Sequence, residues 1–156
     1  MRKIRIITVG KTQDKYIRDG VAVFEKKLKH YCELNLVVVK EANYANGSAQ
    51  QWNQEEGQKL IKLMNPRHFT ICCDEKGSSF DSIQLANAFQ NWSNTGYSTL
   101  DFLIGGAFGF SDEVRSKANI VLSLSPMTLT HQMVRLFLIE QVYRAFTIIR
   151  NEKYHH

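Results

Sequence analysis

Proline is scarce in this chain, at two of 156 residues, and Pro66 and Pro126 both stand between apolar segments rather than inside them. Cysteine is equally sparse. Cys32, Cys72 and Cys73 make an odd count with no CxxC spacing, which argues against a zinc site or a disulfide framework and for reduced, structural thiols in a cytoplasm. Met1-Arg2-Lys3 leads into a short strand-like run, so the start has no signal-peptide apolar region. The longest apolar stretch, residues 133–149, carries Arg135, Glu140, Gln141 and Arg144. That composition is a buried or interfacial helix, not a membrane span. The chain has no P-loop, no Ser/His/Asp signature and no cluster with metal-ligand spacing, which disfavours nucleoside-triphosphatase, classical hydrolase and metal chemistry.

A length of 156 residues suits one domain, spanning 1–156, with a single core. The formal net charge of +5 and pI near 9.2 permit an anionic partner such as nucleic acid; a mildly basic surface with no partner fits equally.

Strand-like and helix-like segments alternate throughout. Runs at 3–9, 34–39, 69–73, 99–104 and 120–124 read as strands. Asp14 can cap a helix to about Tyr31, with Ile17, Val21, Phe24 and Leu28 on one stripe. Ser48 and Gln51 fit a capping box opening a helix that Asn65-Pro66 ends. Asp81 caps a helix whose Ile83, Leu85, Ala86, Phe89 and Trp92 face a core. Ser111 caps a short helix near 112–118, and a long helix runs over 131–150. Residues 75–79, with Gly77, read as a loop. This alternation predicts an α/β fold, a mostly parallel sheet with helices on both faces.

Three connections stand out, because ligands in open α/β sheets sit at the carboxyl ends of strands. The first is Gly105-Gly106-Ala107-Phe108-Gly109. It is not a GxGxxG fingerprint and comes late in the chain, so it reads either as the wall of a nucleoside pocket or as a tight turn. The second is Leu124, Ser125, Pro126, Met127, Thr128 and Leu129, where Met127 and Leu129 could flank an aromatic ring. The third is the end of the strand at Cys73-Asp74. Each alone could be an ordinary connection; three on one edge favour a pocket.

On the last helix Glu140 and Arg144 form an i,i+4 pair, which by itself reads as a surface ion pair. Phe137, Leu138, Val142, Phe146 and Ile149 offer more apolar surface than one face of a helix in a small monomer usually needs, which predicts that part of it is buried against a second copy. Tyr154-His155-His156 reads either as a tag remnant or as a tail that stacks on a base or contacts phosphate.

Taken in order, Leu103-Ile104-Gly105-Gly106-x-x-Gly109, Leu122-Ser123-Leu124-Ser125-x-Met127-Thr128-Leu129-x-His131, Arg135-x-x-Leu138-x-Glu140-Gln141-x-Tyr143-Arg144-Ala145 and Tyr154-His155 resemble the RlmH family over the whole chain. The chain departs from the usual pattern at Cys73, Ala107-Phe108, Thr130 and residues 151–153. The family comprises SPOUT-class methyltransferases that act on N3 of a pseudouridine in large-subunit ribosomal RNA. The resemblance implies a cytoplasmic homodimer, a C-terminal trefoil knot and an S-adenosylmethionine pocket at Cys73, Gly106 and residues 124–129. It further implies that Tyr154 and His155 lie by the partner's pocket. Arg144 or Arg135 would position the substrate or stabilise its charge, His155 would accept the proton, and Glu140 is a weaker candidate; no metal is needed. Two other readings stay open: a non-catalytic ribosome-associated RNA-binding protein, and a nucleotide-binding oxidoreductase, which the misplaced glycines disfavour.

Overall fold

The computed structural model describes residues 2–154. Five strands are joined by five helices in strict alternation: β1 (Arg2–Val9), α1 (Lys15–Leu28), β2 (Cys32–Val39), α2 (Ala49–Leu63), β3 (His68–Ser79), α3 (Ser82–Asn94), β4 (Thr99–Ile104), α4 (Asp112–Lys117), β5 (Ile120–Ser123) and α5 (Met133–Ile149). All pairings are parallel, in the order β2-β1-β4-β3-β5. Every strand therefore ends on the same edge of the sheet, with β3, β4 and β5 grouped toward one side.

Successive residues along a strand face opposite sides, and the core divides accordingly. Ile4, Ile6, Ile71, Phe102 and Ile104 meet α1, α3 and α5 on one face. Ile7, Val9, Cys72 and Leu103 meet Leu60 of α2 and Val114 of α4 on the other. Central β4 is buried along its whole length, as a strand covered on both faces must be. It includes Asp101, fully buried, whose carboxylate accepts from Arg5 (Nε to Oδ1, 2.8 Å) and lies 3.0 Å from His68 Nδ1. A charge in that position persists only because it is paired and hydrogen-bonded.

The capping box read from the sequence forms between Ser48 and Gln51, the Asp81 cap forms and is itself a box with Gln84, and Ser111 accepts from the Val114 N–H. Asp14 precedes α1 but makes no side-chain cap, and α1 stops at Leu28 rather than Tyr31. Ile83 is exposed instead of facing the core.

Two further differences bear on function. Residues 75–79 are not a loop but the end of β3. Leu122 pairs with Cys73 and again with Ser78, so residues 74–77 bulge out of the sheet. Gly77 belongs there because a Cβ would lie 2.5 Å from the Val121 carbonyl. And of the five residues expected to meet a second copy, Leu138, Val142 and Phe146 are buried in the chain's own core. An apolar groove stays open between α1 and α5, lined by Val23, Phe24, Met133, Leu136 and Phe137. Gly20 forms its floor, where a Cβ would meet Leu136 Cδ1 at 2.8 Å.

Candidate functional site

A cavity of about 440 Å³ opens at the carboxyl ends of β4 and β5, beside the bulge within β3. That is the size of a small-molecule site. The β3 bulge supplies Cys73 to Lys76, the glycine loop supplies Gly105 to Phe110, and the connection after β5 supplies Leu124, Ser125, Met127, Thr128 and Leu129. The three connections singled out in the sequence thus meet around one space. Pro126 belongs to the same connection but does not line the cavity.

Each wall has a local cause. In the connection after β5, the Ser125 hydroxyl accepts from the Met127 N–H at 3.0 Å, and Ser123 Oγ donates to the Ser125 carbonyl at 3.0 Å. These bonds turn the chain sharply and leave Met127 largely exposed. In the glycine loop, Gly106 and Gly109 close a small bridge, and Gly109 has φ +79°, a conformation that favours glycine. Gly105 and Gly106 are needed for a different reason. A Cβ on Gly105 would lie 3.0 Å from the Gly109 carbonyl oxygen, and one on Gly106 would lie 2.8 Å from both Glu56 Oε2 and the Tyr44 hydroxyl. Gly106 therefore lines the cavity with its backbone while its missing side chain would point back into the protein.

Behind that loop lies Glu56, a buried residue of α2. Its Oε1 accepts from the Ala42 N–H at 2.9 Å and from the Tyr44 hydroxyl at 2.5 Å, and its Oε2 is buried without a partner among the described residues. Burial and this bond push the Tyr44 phenol well above its usual pKa. Nothing in the sequence singled out Glu56, since its partners lie in other segments.

The start of α5 is tied to the turn after β1. Gln132 accepts from the Gln13 N–H at 2.9 Å and donates to the Lys11 carbonyl at 3.2 Å. Arg135, buried, donates to the Val9 carbonyl at 2.8 Å and to Thr12 Oγ1 at 3.0 Å. Arg135 is thus occupied in holding backbone together and does not line the cavity. His131 does line it; burial and the Arg135 charge lower its pKa, so its ring is neutral near pH 7. Arg115 reaches the cavity from α4 and is bound to Asp74 at 2.9 Å.

Burial pushes the thiols of Cys32 and Cys72 up to about 12, and that of Cys73, on the cavity wall, well above its usual value. They are poor nucleophiles. No group of three or more His, Cys, Asp or Glu among the described residues is arranged to hold a metal ion, and none of the described helices is long and apolar enough to cross a membrane.

Arg144 and Tyr154 stand apart from the cavity. Arg144 donates to Glu140 at 2.6 Å, its guanidinium lies 4.7 Å from the centre of the Tyr154 ring, and the Tyr154 hydroxyl donates to Glu140 at 3.2 Å. Glu140 also lines the groove between α1 and α5. The pair predicted at i,i+4 is real, and the tail folds onto it. His155 lies outside the described residues.

Comparison with known proteins agrees with this geometry. Residues 2–155 match the family described as "Predicted SPOUT methyltransferase". The chain is 44% identical over 154 residues to the ribosomal RNA large subunit methyltransferase H of Trichlorobacter lovleyi, covering 99% of each protein. It is 41% identical to the protein of that name from Flavobacterium psychrophilum, covering 98% of each. Among solved structures, a probable methylase family protein from Haemophilus influenzae superposes with a TM-score of 0.59 at 12% identity, over 99% of this chain and 71% of that one, which shows a shared fold.

Proposed function

The chain belongs to the SPOUT methyltransferase family, among the large-subunit ribosomal RNA methyltransferases of type H, and from that premise we propose that it methylates N3 of a pseudouridine in large-subunit ribosomal RNA with S-adenosylmethionine as donor. The observation that carries this reading is the one cavity formed by the β3 bulge, the glycine loop and the connection after β5, which brings together all the residues that the family resemblance assigns to the cofactor except Pro126.

The cavity suits that cofactor. Leu124, Met127 and Leu129 offer an apolar slot for a flat heterocycle, and the side-chain-free backbone of Gly105 and Gly106 lets a ligand approach closely. Cys73, Gly106, Leu124, Ser125, Met127, Thr128 and Leu129 would hold it, with Pro126 stiffening the strap they sit on. The cofactor supplies an electrophilic methyl group on a sulfonium, open to in-line displacement.

The protein's task is then to orient the acceptor and remove its proton. N3 of a pseudouridine carries a weakly acidic proton, which must leave as the nitrogen attacks. His155 accepts it, delivered with Tyr154 from the tail of a second copy. Arg144 stands apart from the cavity of its own chain, held by Glu140 and Tyr154, and so would reach the base from the second copy together with the tail, where it stabilises the negative charge that develops. The neutral imidazole of His131, on the cavity wall, is a second candidate acceptor.

We read residues 1–156 as one such domain, carrying the family's knot and working in the cytoplasm as a homodimer. The open apolar groove between α1 and α5 supports pairing, because a large apolar hollow on a small protein favours burial. Sedimentation at micromolar concentration should give the dimer mass. The function is tested by incubating ribosomes from a strain lacking the enzyme with the protein and S-adenosylmethionine, and mapping the product by mass spectrometry. A methyl group on a pseudouridine of the large-subunit RNA is expected. Binding of S-adenosylmethionine without methylation of any ribosomal RNA would favour the non-catalytic RNA-binding reading.

A further inference from the structure

Beside the cavity, a second hollow of about 540 Å³ runs between α2 and α4, and the two share Lys76, Phe108, Phe110 and Arg115. Phe108, on the wall between them, is 46% exposed. It is not an isolated ring. Its centroid lies 4.8 Å from that of Trp52 and 5.2 Å from that of Tyr44, and these two are 5.2 Å apart. The cluster is fixed from below. The Trp52 indole donates to the Asn46 carbonyl at 2.8 Å, the Tyr44 hydroxyl is bound to Glu56, and Asn53 Nδ2 donates to the Phe108 carbonyl at 2.9 Å. A rigid aromatic face is thus held at the rim of the candidate active site.

The chemistry around it is specific. Asn53 lines the second hollow, and its Oδ1 is buried with no partner among the described residues. Lys76 lines both hollows and forms no ion pair among the described residues. The carboxylates that line the hollow are already engaged, Asp112 by Arg115 and Glu113 by Gln58 and Lys117. An occupant would therefore find a ring to stack on, held from behind by the Asn53 amide, and an uncommitted positive charge.

We propose that this hollow binds an unpaired nucleobase of the RNA substrate, next to the nucleotide being methylated. The base stacks on Phe108, and its phosphate lies toward Lys76. Stacking on aromatic side chains is how unpaired bases are commonly held, and it needs no particular sequence. The inference rests on the proposed RNA methyltransferase function, for which it names a second substrate contact.

Trp52 provides a signal independent of catalysis. The other tryptophan, Trp92, is buried against Phe69 and Phe89. The full-length protein is titrated with a single-stranded hexaribonucleotide and with a strand of the same length and charge whose bases have been removed. The base-bearing strand should quench the fluorescence saturably and bind at least about tenfold more tightly than the abasic one, and Trp52→Phe should abolish the signal. Phe108→Leu, which keeps an apolar side chain but removes the ring, should lose that discrimination; Phe108→Trp should retain it. In ribosome methylation, Phe108→Leu should raise KM for ribosomes by about tenfold. Equal binding of the two strands, or unchanged discrimination in a folded Phe108→Leu protein, overturns the proposal. If the wild-type protein methylates ribosomes but shows no base-dependent quenching, the hollow is misassigned and the methyltransferase function stands. If it methylates no ribosomal RNA at all, that function fails first, and the substrate contact with it.

Discussion

Gly106→Ala tests the reason for the glycine loop. The backbone of Gly106 is not in the left-handed region, so alanine meets no conformational penalty there. The added methyl instead lies 2.8 Å from Glu56 Oε2, 2.8 Å from the Tyr44 hydroxyl and 3.2 Å from Val9 Cγ1. Neither oxygen can retreat freely, because Glu56 Oε1 binds the Ala42 N–H and the Tyr44 hydroxyl at 2.9 and 2.5 Å. The loop must move, and overpacking of this kind costs about 1–3 kcal/mol. Tyr44→Phe removes one of the two close oxygens. Urea unfolding of wild type, both single variants and the double variant should show a favourable coupling of about 1 kcal/mol, the penalty of alanine falling once the hydroxyl is gone. Calorimetric titration should show a parallel effect. The bulkier Gly106→Val should weaken S-adenosylmethionine binding by about tenfold or more, roughly 1.4 kcal/mol. Additivity of the two stability changes to within about 0.3 kcal/mol would refute the steric account.

Arg5→Met leaves the buried Asp101 carboxylate with only His68 as a partner, and should cost about 3 kcal/mol or more in urea unfolding; adding Asp101→Leu should recover much of it. Burial raises the thiols of Cys32 and Cys72 to about 12 in the folded state, so their contribution to stability is complete below about pH 8.5 and is lost as pH rises toward 12; each should lower unfolding free energy by about 1.4 kcal/mol per pH unit in that window, read from urea titrations at increasing pH. Deleting residues 154–156 should abolish methylation while sparing S-adenosylmethionine binding and dimer mass. Mixing that chain with a Gly106→Val chain should restore activity if the tail works across the dimer, and no recovery from two folded, dimeric variants would exclude action in trans.

Much of the fold could be read from local chemistry. The β-branched runs, the caps at Ser48, Asp81 and Ser111 and the stripe on α1 each depend on residues a few positions apart, and all three kinds of signal hold in the structure. The cavity was legible for a related reason: parallel strands place their carboxyl ends on one edge, so marking three unusual connections suffices to bring them together. What escaped was set by long-range contacts. The β3 bulge exists because β5 pairs twice with β3 through Leu122, and no pattern within residues 74–79 announces that. Asp101 reads as a break in an apolar strand until Arg5, 96 residues away, is seen against it. Arg135 was a candidate for positioning the substrate, yet its partners, the Val9 carbonyl and Thr12 Oγ1, lie more than 120 residues away and no sequence pattern displays them. Helical periodicity cannot tell a face covered by the chain's own sheet from one left open, so it does not say which part of the apolar surface of α5 stays available to a second copy.

The link from α5 to the turn after β1 carries a cost that falls on folding rather than on binding. The strap 124–131 is eight residues long. It leaves the sheet at Ser123 and is anchored again at Gln132 and Arg135, so both its ends are fixed before any ligand arrives. Ordering the backbone of a free residue costs about 1–2 kcal/mol in conformational entropy, and a strap with fixed ends has already lost much of that freedom. A ligand in the cavity then meets a wall that scarcely has to be ordered. Gln132→Ala would loosen one anchor without touching the cavity, and any affinity lost would appear in calorimetry as entropy, with the contact enthalpy little changed.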